Sequence, residues 1–142
     1  MKNVSKKNAI LVSLRDDIEE IKLLAESKNY EILKIFIQHR NKPDVTNYIG
    51  RGKRNEIKTF IEESEESIDV VIIDGTLKPS QWFLLEHYWK IDVYDRIRLI
   101  LMIFRDRADC KEARLQVRLA ELQYERPFVR ELIHRARSGE HP

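Results

Sequence analysis

Residues 48–53 read Tyr-Ile-Gly-Arg-Gly-Lys and stand directly before a predicted helix. Glycines let backbone N–H groups approach an anion closely, and a helix N-terminus adds positive potential. The segment is not a P-loop, because the G-x-x-x-x-G-K-[ST] spacing is missing and Arg54 stands where the magnesium-binding hydroxyl would be. A plain turn with positive φ at a glycine is the favoured alternative. The candidate anion- or nucleotide-binding residues are Gly50, Arg51, Gly52 and Lys53.

Asp74 is a second candidate, because it follows the apolar run 69–73 that predicts a buried strand. Open parallel sheets bind ligands at the carboxyl ends of their strands, and Asp74 would lie at that edge. An Asp in this position also commonly caps the next turn, and that structural role remains open.

Residues 96–137 hold eleven Arg or Lys against six Asp or Glu, whereas the whole chain has a net charge of only +2. The rest of the chain is therefore slightly acidic. This split indicates a basic arm that contacts a negatively charged partner. A solvated helix whose arginines pair with neighbouring glutamates is the alternative.

Enzyme and metal signatures are absent from the sequence. The four histidines show no i, i+4 pairing with one another, and the single Cys110 can form neither an internal disulfide nor a cysteine-rich metal site. No G-x-S-x-G nucleophile setting occurs. We therefore assign no catalytic residue and no metal ligand to this chain.

Length and composition indicate one modest globular domain, since the chain has 142 residues of which 42% are hydrophobic. Its apolar runs are too short to cross a bilayer, and the N-terminus reaches Asp16 before a signal-peptide core could form. We expect a cytoplasmic protein without a membrane segment.

Strand-like and helix-like patterns alternate over the first ninety residues. Alternation with helices of ten to fifteen residues predicts an α/β fold with a small four-stranded parallel sheet. The first helix should be capped by Asp16 or Asp17. The predicted strands are 9–14, 32–37, 69–73 and 91–94, and the second and third helices should begin near Lys53 and Pro79.

The run 95–127 predicts two helical pieces joined without a loop. Residues 99–104 leave no polar face, which is typical of a buried helix. Beyond Lys111 the apolar residues thin to Leu115, Leu119 and Leu122, which stack on one side of a helix. This narrow seam predicts a projecting arm that needs a partner helix.

Three stretches together resemble the N-terminal domain of the HflX family of ribosome-associated GTPases. They are YIGRGK, DVVIIDGTLKPSQWFLLE and DVYDRIRLILMIFRDRADCKEARLQVRLAELQYERP. Their order and the long third stretch make the resemblance specific, and it covers nearly the whole chain.

The resemblance implies an α/β subdomain over 1–94 and a helical arm subdomain over 95–142, in which two long helices of the family form an antiparallel coiled coil. Family members bind the large ribosomal subunit, and some act on stalled ribosomes under stress. A following G domain binds and hydrolyses GTP with magnesium. An ATP-binding or RNA-remodelling role has also been proposed for the family's N-terminal domain.

The sequence also departs from the family. It stops at Pro142, before the second coiled-coil helix and the G domain, so we expect a fragment of a larger protein that needs no cofactor of its own. The family's Asp-Asp-Glu-Leu stretch reads Asp74-Gly75-Thr76-Leu77 here, which removes two carboxylates and weakens a catalytic role at this corner.

Truncation would leave the seam of Leu115, Leu119 and Leu122 without its partner helix. Pro127 should break the helix. The seam would then either fold back on the apolar tail 128–136 or form a homodimer.

Two functional hypotheses follow. The first is a module that binds the RNA of the large ribosomal subunit through phosphate contacts. The second is an autonomous nucleotide-binding α/β domain built on the glycine segment and Asp74. The candidate RNA-binding residues are Arg107, Lys111, Arg114, Arg118, Arg126, Arg130, Arg135 and Arg137.

Overall fold

The computed structural model describes residues 6–139. Strands and helices alternate along this part of the chain. The elements are β1 (Lys7–Ser13), α1 (Glu19–Ser27), β2 (Tyr30–Ile37), α2 (Arg51–Glu63), β3 (Val70–Ile73), α3 (Pro79–Trp89), β4 (Asp92–Asp95), α4 (Arg96–Arg107) and α5 (Lys111–Arg137).

The four strands form one parallel sheet in the order β2-β1-β3-β4. In the centre, Leu11 of β1 pairs with Ile35 of β2 on one side and with Ile72 of β3 on the other. Both inner strands are covered on both faces, which explains their continuous apolar runs. The predicted α/β class and the four-stranded parallel sheet are confirmed.

The sheet separates two hydrophobic cores. Alternate strand residues point to opposite faces. One core contains Ile57 of α2 and Leu85 of α3, and the other contains Ile21 of α1 and Leu99 of α4. The helix α5 contacts both α3 and α4, which lie on opposite faces, so it crosses the sheet at the β4 edge.

The helical stretch after β4 is interrupted, contrary to the prediction. The short segment 108–110 separates α4 from α5, and its Ala108 and Cys110 have extended backbone angles. Only Leu99 and Ile103 of α4 are fully buried, whereas Phe104 is 53% exposed. The prediction of a wholly buried helix was wrong because α4 covers the sheet with one side only.

Pro127 does not break α5, which continues to Arg137. Proline removes one helical hydrogen bond. Here Tyr124 and Phe128, on either side of it, pack against each other with ring centroids 4.8 Å apart, and Phe128 also packs on Trp82 of α3. This packing favours a continuous helix, so the predicted hairpin of α5 onto its own tail does not form.

The face that docks α5 on the body is not the leucine seam. Val117, Glu121, Tyr124, Phe128 and Leu132 are buried or half-buried, and they recur at helical spacing. The seam residues Leu115, Leu119 and Leu122 are 60%, 59% and 48% exposed. The sequence pattern of large leucines therefore identified the outer apolar face and missed the inner one.

The predicted carboxylate cap of α1 is also wrong. The N-cap residue is Ile18, and no side chain caps this helix. Asp16 instead pairs with His39 in the loop after β2, with Nε2 and Oδ1 2.7 Å apart.

Candidate functional site

The glycine segment forms the start of α2. Gly50 is the N-cap residue, and Arg51, Gly52 and Lys53 make the first turn. The Gly50 N–H donates to Oε1 of Gln38 across 2.7 Å, and Lys53 Nζ pairs with Glu56 at 2.9 Å. The four predicted residues therefore lie together, but two of their donor groups already contact protein acceptors.

Positive φ occurs at Tyr48 rather than at the glycines. Tyr48 has φ of 70°, whereas Gly50 has φ of −66° and Gly139 is the one glycine of residues 6–139 with positive φ. The Tyr48 N–H donates to the Asp44 carbonyl at 3.0 Å, and the reverse bond measures 2.9 Å. The predicted glycine turn was wrong because these paired bonds place the left-handed residue two positions earlier.

The space around the two glycines of the segment differs. A Cβ built on Gly50 would lie 2.9 Å from Nε2 of Gln38, closer than ordinary van der Waals contact. At Gly52 a Cβ would meet nothing within 4 Å. Of the two glycines, only Gly50 has a close neighbour, and that neighbour is the amide end of the Gln38 side chain.

Asp74 lies at the carboxyl end of β3, as predicted, but it is ion-paired. Its side chain is 6% exposed, and Oδ1 accepts a 2.9 Å hydrogen bond from Nη1 of Arg96. Arg96 also pairs with Glu20 of α1. Burial raises the pKa of the Asp74 carboxyl. The Asp74 carboxylate therefore links the carboxyl end of β3 to the first residue of α4 in this arrangement.

Tyr48 occupies the space between the glycine segment and the β3–α3 turn. Its hydroxyl lies 3.5 Å from the Asp74 carbonyl oxygen, and a Cβ on Gly75 would lie 2.8 Å from its Cζ atom. The buried Tyr48 ring therefore packs against the start of the β3–α3 turn, beside Asp74.

Asp95 is a buried carboxylate that the sequence analysis did not select. Oδ2 accepts the Leu77 N–H at 3.1 Å, while Oδ1 accepts the Arg98 N–H at 3.0 Å and the Tyr124 hydroxyl at 2.7 Å. The available signal was an Asp immediately before a helix, which is a favoured N-cap. Burial, together with Asp95, raises the pKa of the Tyr124 hydroxyl.

Seven of the eight candidate RNA-binding residues are exposed on α4 and α5. They are Arg107, Lys111, Arg114, Arg118, Arg126, Arg130 and Arg137. Arg135 differs, because its Nε atom pairs with Glu131 at 2.8 Å and its guanidinium lies over the Phe83 ring at 4.8 Å. Arg135 therefore helps to pack α5 on α3.

Two further charged residues near this surface were not among the selected binding residues. Glu121 is only 7% exposed and pairs with Arg105 of α4 and, at 3.7 Å, with Arg118. The Arg118–Glu121 spacing of three residues is a helical ion-pair signal. The contact to Arg105 depends on the α4–α5 turn, which the sequence did not reveal.

Residues 6–139 contain neither a metal-binding cluster nor a membrane-spanning helix. No group of three or more His, Cys, Asp or Glu side chains is arranged to hold a metal ion. No helix in this range has the length and apolar character needed to cross a membrane.

Solved structures share this fold. A structure described as the SsGBP and GDP complex matches with a TM-score of 0.72 and 34% identity, over 93% of this chain and 39% of that chain. A GTP-binding protein from Sulfolobus solfataricus, in complex with GDP, matches with a TM-score of 0.69 and 35% identity, over 88% of this chain and 39% of that chain.

Curated relatives extend the comparison. The GTPase HflX of Methanocaldococcus jannaschii is 46% identical over 128 residues, which are 90% of this chain and 31% of the relative. The GTPase HflX of Thermococcus kodakarensis is 44% identical over 121 residues, which are 85% of this chain and 27% of the relative. The chain thus spans about three tenths of the length of these relatives.

A model of the family described as GTP-binding GTPase N-terminal matches residues 15–105, which include β2, β3, β4 and most of α4. Together with the HflX relatives, this match shows that the chain belongs to the GTP-binding GTPase N-terminal family and represents the N-terminal domain of an HflX GTPase.

Proposed function

We propose that this chain is the ribosome-binding domain of an HflX-like GTPase and that it binds RNA of the large ribosomal subunit through α4 and α5. The observation that carries the proposal is the exposure of seven basic side chains along these two helices. Arg and Lys side chains bind phosphate groups, and such contacts dominate affinity for nucleic acids.

The distribution of ion pairs supports this role over the alternative, which is a solvated helix whose arginines pair with neighbouring glutamates. Among the residues that the structure describes, no ion pair involves Arg107, Lys111, Arg114, Arg126 or Arg130. Pairing with glutamates of the same helix involves Arg118 and Arg135. Most of the basic face is therefore available to an external anion.

The proposal also concerns the longer parent protein to which this N-terminal domain belongs. The relatives are named GTPases and are about three times as long as this chain. We assign GTP binding and hydrolysis with magnesium to a G domain of the parent, and we place its action on ribosomes, under stress, in the cytoplasm. Within the chain, the α/β subdomain 1–94 would position the arm subdomain 95–142, and the family's coiled coil would form on α5.

Co-sedimentation with purified large and small ribosomal subunits across a salt series tests the proposal. The chain should bind the large subunit, and binding should weaken with salt and with the double substitution Arg114→Ala and Arg118→Ala. The matched control replaces Lys7 and Lys22, two exposed lysines of the α/β body, with alanine. Absence of binding to either subunit at low salt, or equal losses in both variants, would contradict the proposal.

Nucleotide binding by the α/β body is the second candidate function. The observation that favours it is the assembly of Gly50, Arg51, Gly52 and Lys53 in the first turn of α2, where the helix dipole attracts anions. The contacts of Gly50 to Gln38, Lys53 to Glu56 and Asp74 to Arg96 would have to be exchanged for the ligand. We therefore rank it below RNA binding.

A further inference from the structure

An open cavity of about 280 Å³ lies between α4 and α5, next to the turn that joins them. We name this cavity the arginine pocket. Three guanidinium groups and one carboxylate line it, so its net charge is +2. Its two apolar walls come from Ala108 and Val117. The complete lining is Arg105, Ala108, Arg114, Val117, Arg118 and Glu121.

Glu121 holds two of the three guanidinium groups in place. Its carboxylate, whose side chain is 9% exposed, pairs with Arg105 through Oε2 and lies 3.7 Å from Arg118 through Oε1. The side chains of Arg105 and Arg118 nevertheless remain 59% and 54% exposed. Since their rotamers are already restricted, binding of an anion costs less side-chain entropy.

Arg114 supplies a positive charge that pairs with no carboxylate of the pocket. No ion pair involves Arg114 within residues 6–139, and its side chain is exposed at the pocket rim. A guanidinium presents its donors in a planar fork that matches phosphate oxygens. The pocket therefore combines two held arginines with one that is available to a ligand.

Size and surroundings indicate a phosphate group of a longer chain. A water molecule occupies about 30 Å³ in the liquid, so the cavity has room for a phosphate with several hydration waters. Arg107 and Lys111 stand exposed on either side of the turn and extend the positive surface beyond the pocket. A polyanion with regularly spaced phosphates could contact the pocket and these flanking residues together.

We propose that the arginine pocket binds one phosphate group of an RNA backbone through Arg105, Arg114 and Arg118, with Glu121 as the positioning residue. The RNA assignment rests on the proposed function. It adds Arg105, which lies outside the basic set predicted from the sequence, and distinguishes Arg114 and Arg118 from the other basic residues of α5.

Inorganic phosphate tests the pocket without any RNA. Titration of the chain, followed by NMR of the backbone amides, should give saturable shifts at Ala108 and Val117. Arg114→Gln should abolish these shifts, and because Arg114 has no buried counter-charge, the variant should keep its fold. Arg130→Gln is the matched control, an exposed arginine of the same helix, and should leave them unchanged. Equal phosphate-induced shifts in the two variants would contradict phosphate binding at the arginine pocket.

A short poly-uridine oligonucleotide tests the RNA assignment. Arg114→Gln should weaken its binding about tenfold, as expected for one lost charge-assisted hydrogen bond. It should also lower the salt dependence of log K by roughly 0.7 to 0.9. Poly-glutamate of equal charge should compete poorly, and equal competition would overturn the assignment to RNA.

Subunit co-sedimentation separates the two proposals. A chain that binds large subunits but shows no phosphate shifts at Ala108 and Val117 would overturn the pocket and support the proposed function. The opposite result is a chain that binds no subunit but shows phosphate-induced shifts that Arg114→Gln removes. That result would support the phosphate site and overturn the proposed function.

Discussion

The Tyr124 hydroxyl of α5 donates a 2.7 Å hydrogen bond to Oδ1 of Asp95 at the end of β4. Asp95 also caps α4 and accepts the backbone N–H of Leu77, which precedes α3. One buried carboxylate therefore joins the last strand, the β3–α3 turn and the basic helix. It thereby helps to fix the position of α5 on the body, together with the Phe128–Trp82 packing.

Replacing Tyr124 with phenylalanine should lower the free energy of unfolding by about 2 kcal/mol, because a hydrogen bond to a buried charged group is lost. Urea denaturation at neutral pH measures this change. The matched control is Tyr88→Phe, whose hydroxyl bonds the exposed Asn55. That variant should stay within about 0.5 kcal/mol of the wild type, and a similar cost for both would contradict the structural role of Asp95.

Alanine at Gly75 should be destabilising by roughly 2 kcal/mol, because its Cβ would overlap the Tyr48 ring and hydroxyl in a packed interior. Alanine at Gly52, where a Cβ meets nothing within 4 Å, should be neutral or stabilising by up to about 1 kcal/mol. Thermal and urea unfolding of the two variants check this contrast. Removal of the hydroxyl by Tyr48→Phe should recover part of the loss at Gly75, and purely additive costs would refute the overlap.

Alkaline pH should destabilise the chain through Tyr30. Burial raises the pKa of Tyr30 from 10.0 to about 12, so the folded state holds the phenolic proton more tightly than the unfolded state. The stabilisation is present below pH 10 and is lost as the pH rises towards 12. Urea denaturation at several alkaline pH values should show that the difference between wild type and Tyr30→Phe changes in this window. A constant difference would contradict the shift.

Nucleotide titration distinguishes the second candidate function. Because Lys53 and Gly50 contact protein acceptors, we expect no saturable binding of ATP or GTP to the chain alone, as measured by isothermal calorimetry. Lys53→Ala should then behave like the wild type. Saturable binding that Lys53→Ala weakens would reverse the ranking of the two functions.

The outer leucine seam should cause self-association. Leu115, Leu119 and Leu122 are about half exposed or more, and Val129 and Ile133 extend the same helix face at 51% and 48% exposure, with Arg126 at the intervening position. This is the repeat of a helix-pairing stripe. Sedimentation velocity should show dimers at high concentration that Leu119→Glu removes.

Leu23→Glu provides the matched control for this experiment, since Leu23 is a single leucine, 66% exposed, on α1. It should leave the sedimentation coefficient unchanged. A wild-type chain that stays monomeric at millimolar concentration would contradict the dimer.

The strands could be predicted from sequence because parallel strands covered on both faces leave a local apolar signal. The third strand, predicted at 69–73, begins one residue later in the structure, and the fourth, predicted at 91–94, is shifted by one residue. The turn at 108–110 contains neither glycine nor proline, so no local signal marked it. Pro127 gave a false signal because tertiary packing outweighed a local preference.

The candidate site was less predictable than the fold. Seven exposed basic residues could be selected from charge, whereas Arg105 was not. The contacts that decide their roles join residues far apart in sequence, such as Tyr124 with Asp95 and Arg105 with Glu121. Such contacts depend on how α5 folds back on α4, which composition and periodicity do not specify.

The path of α5 across the β4 edge has a consequence for proteolysis and aggregation. Apolar surface that loses its covering helix becomes available to other chains. Cleavage near Cys110, in the exposed turn before α5, would remove the helix that packs on α3 and α4 and would uncover the Trp82 ring that Phe128 contacts. We therefore expect the shortened product to aggregate rather than to persist as a smaller soluble domain.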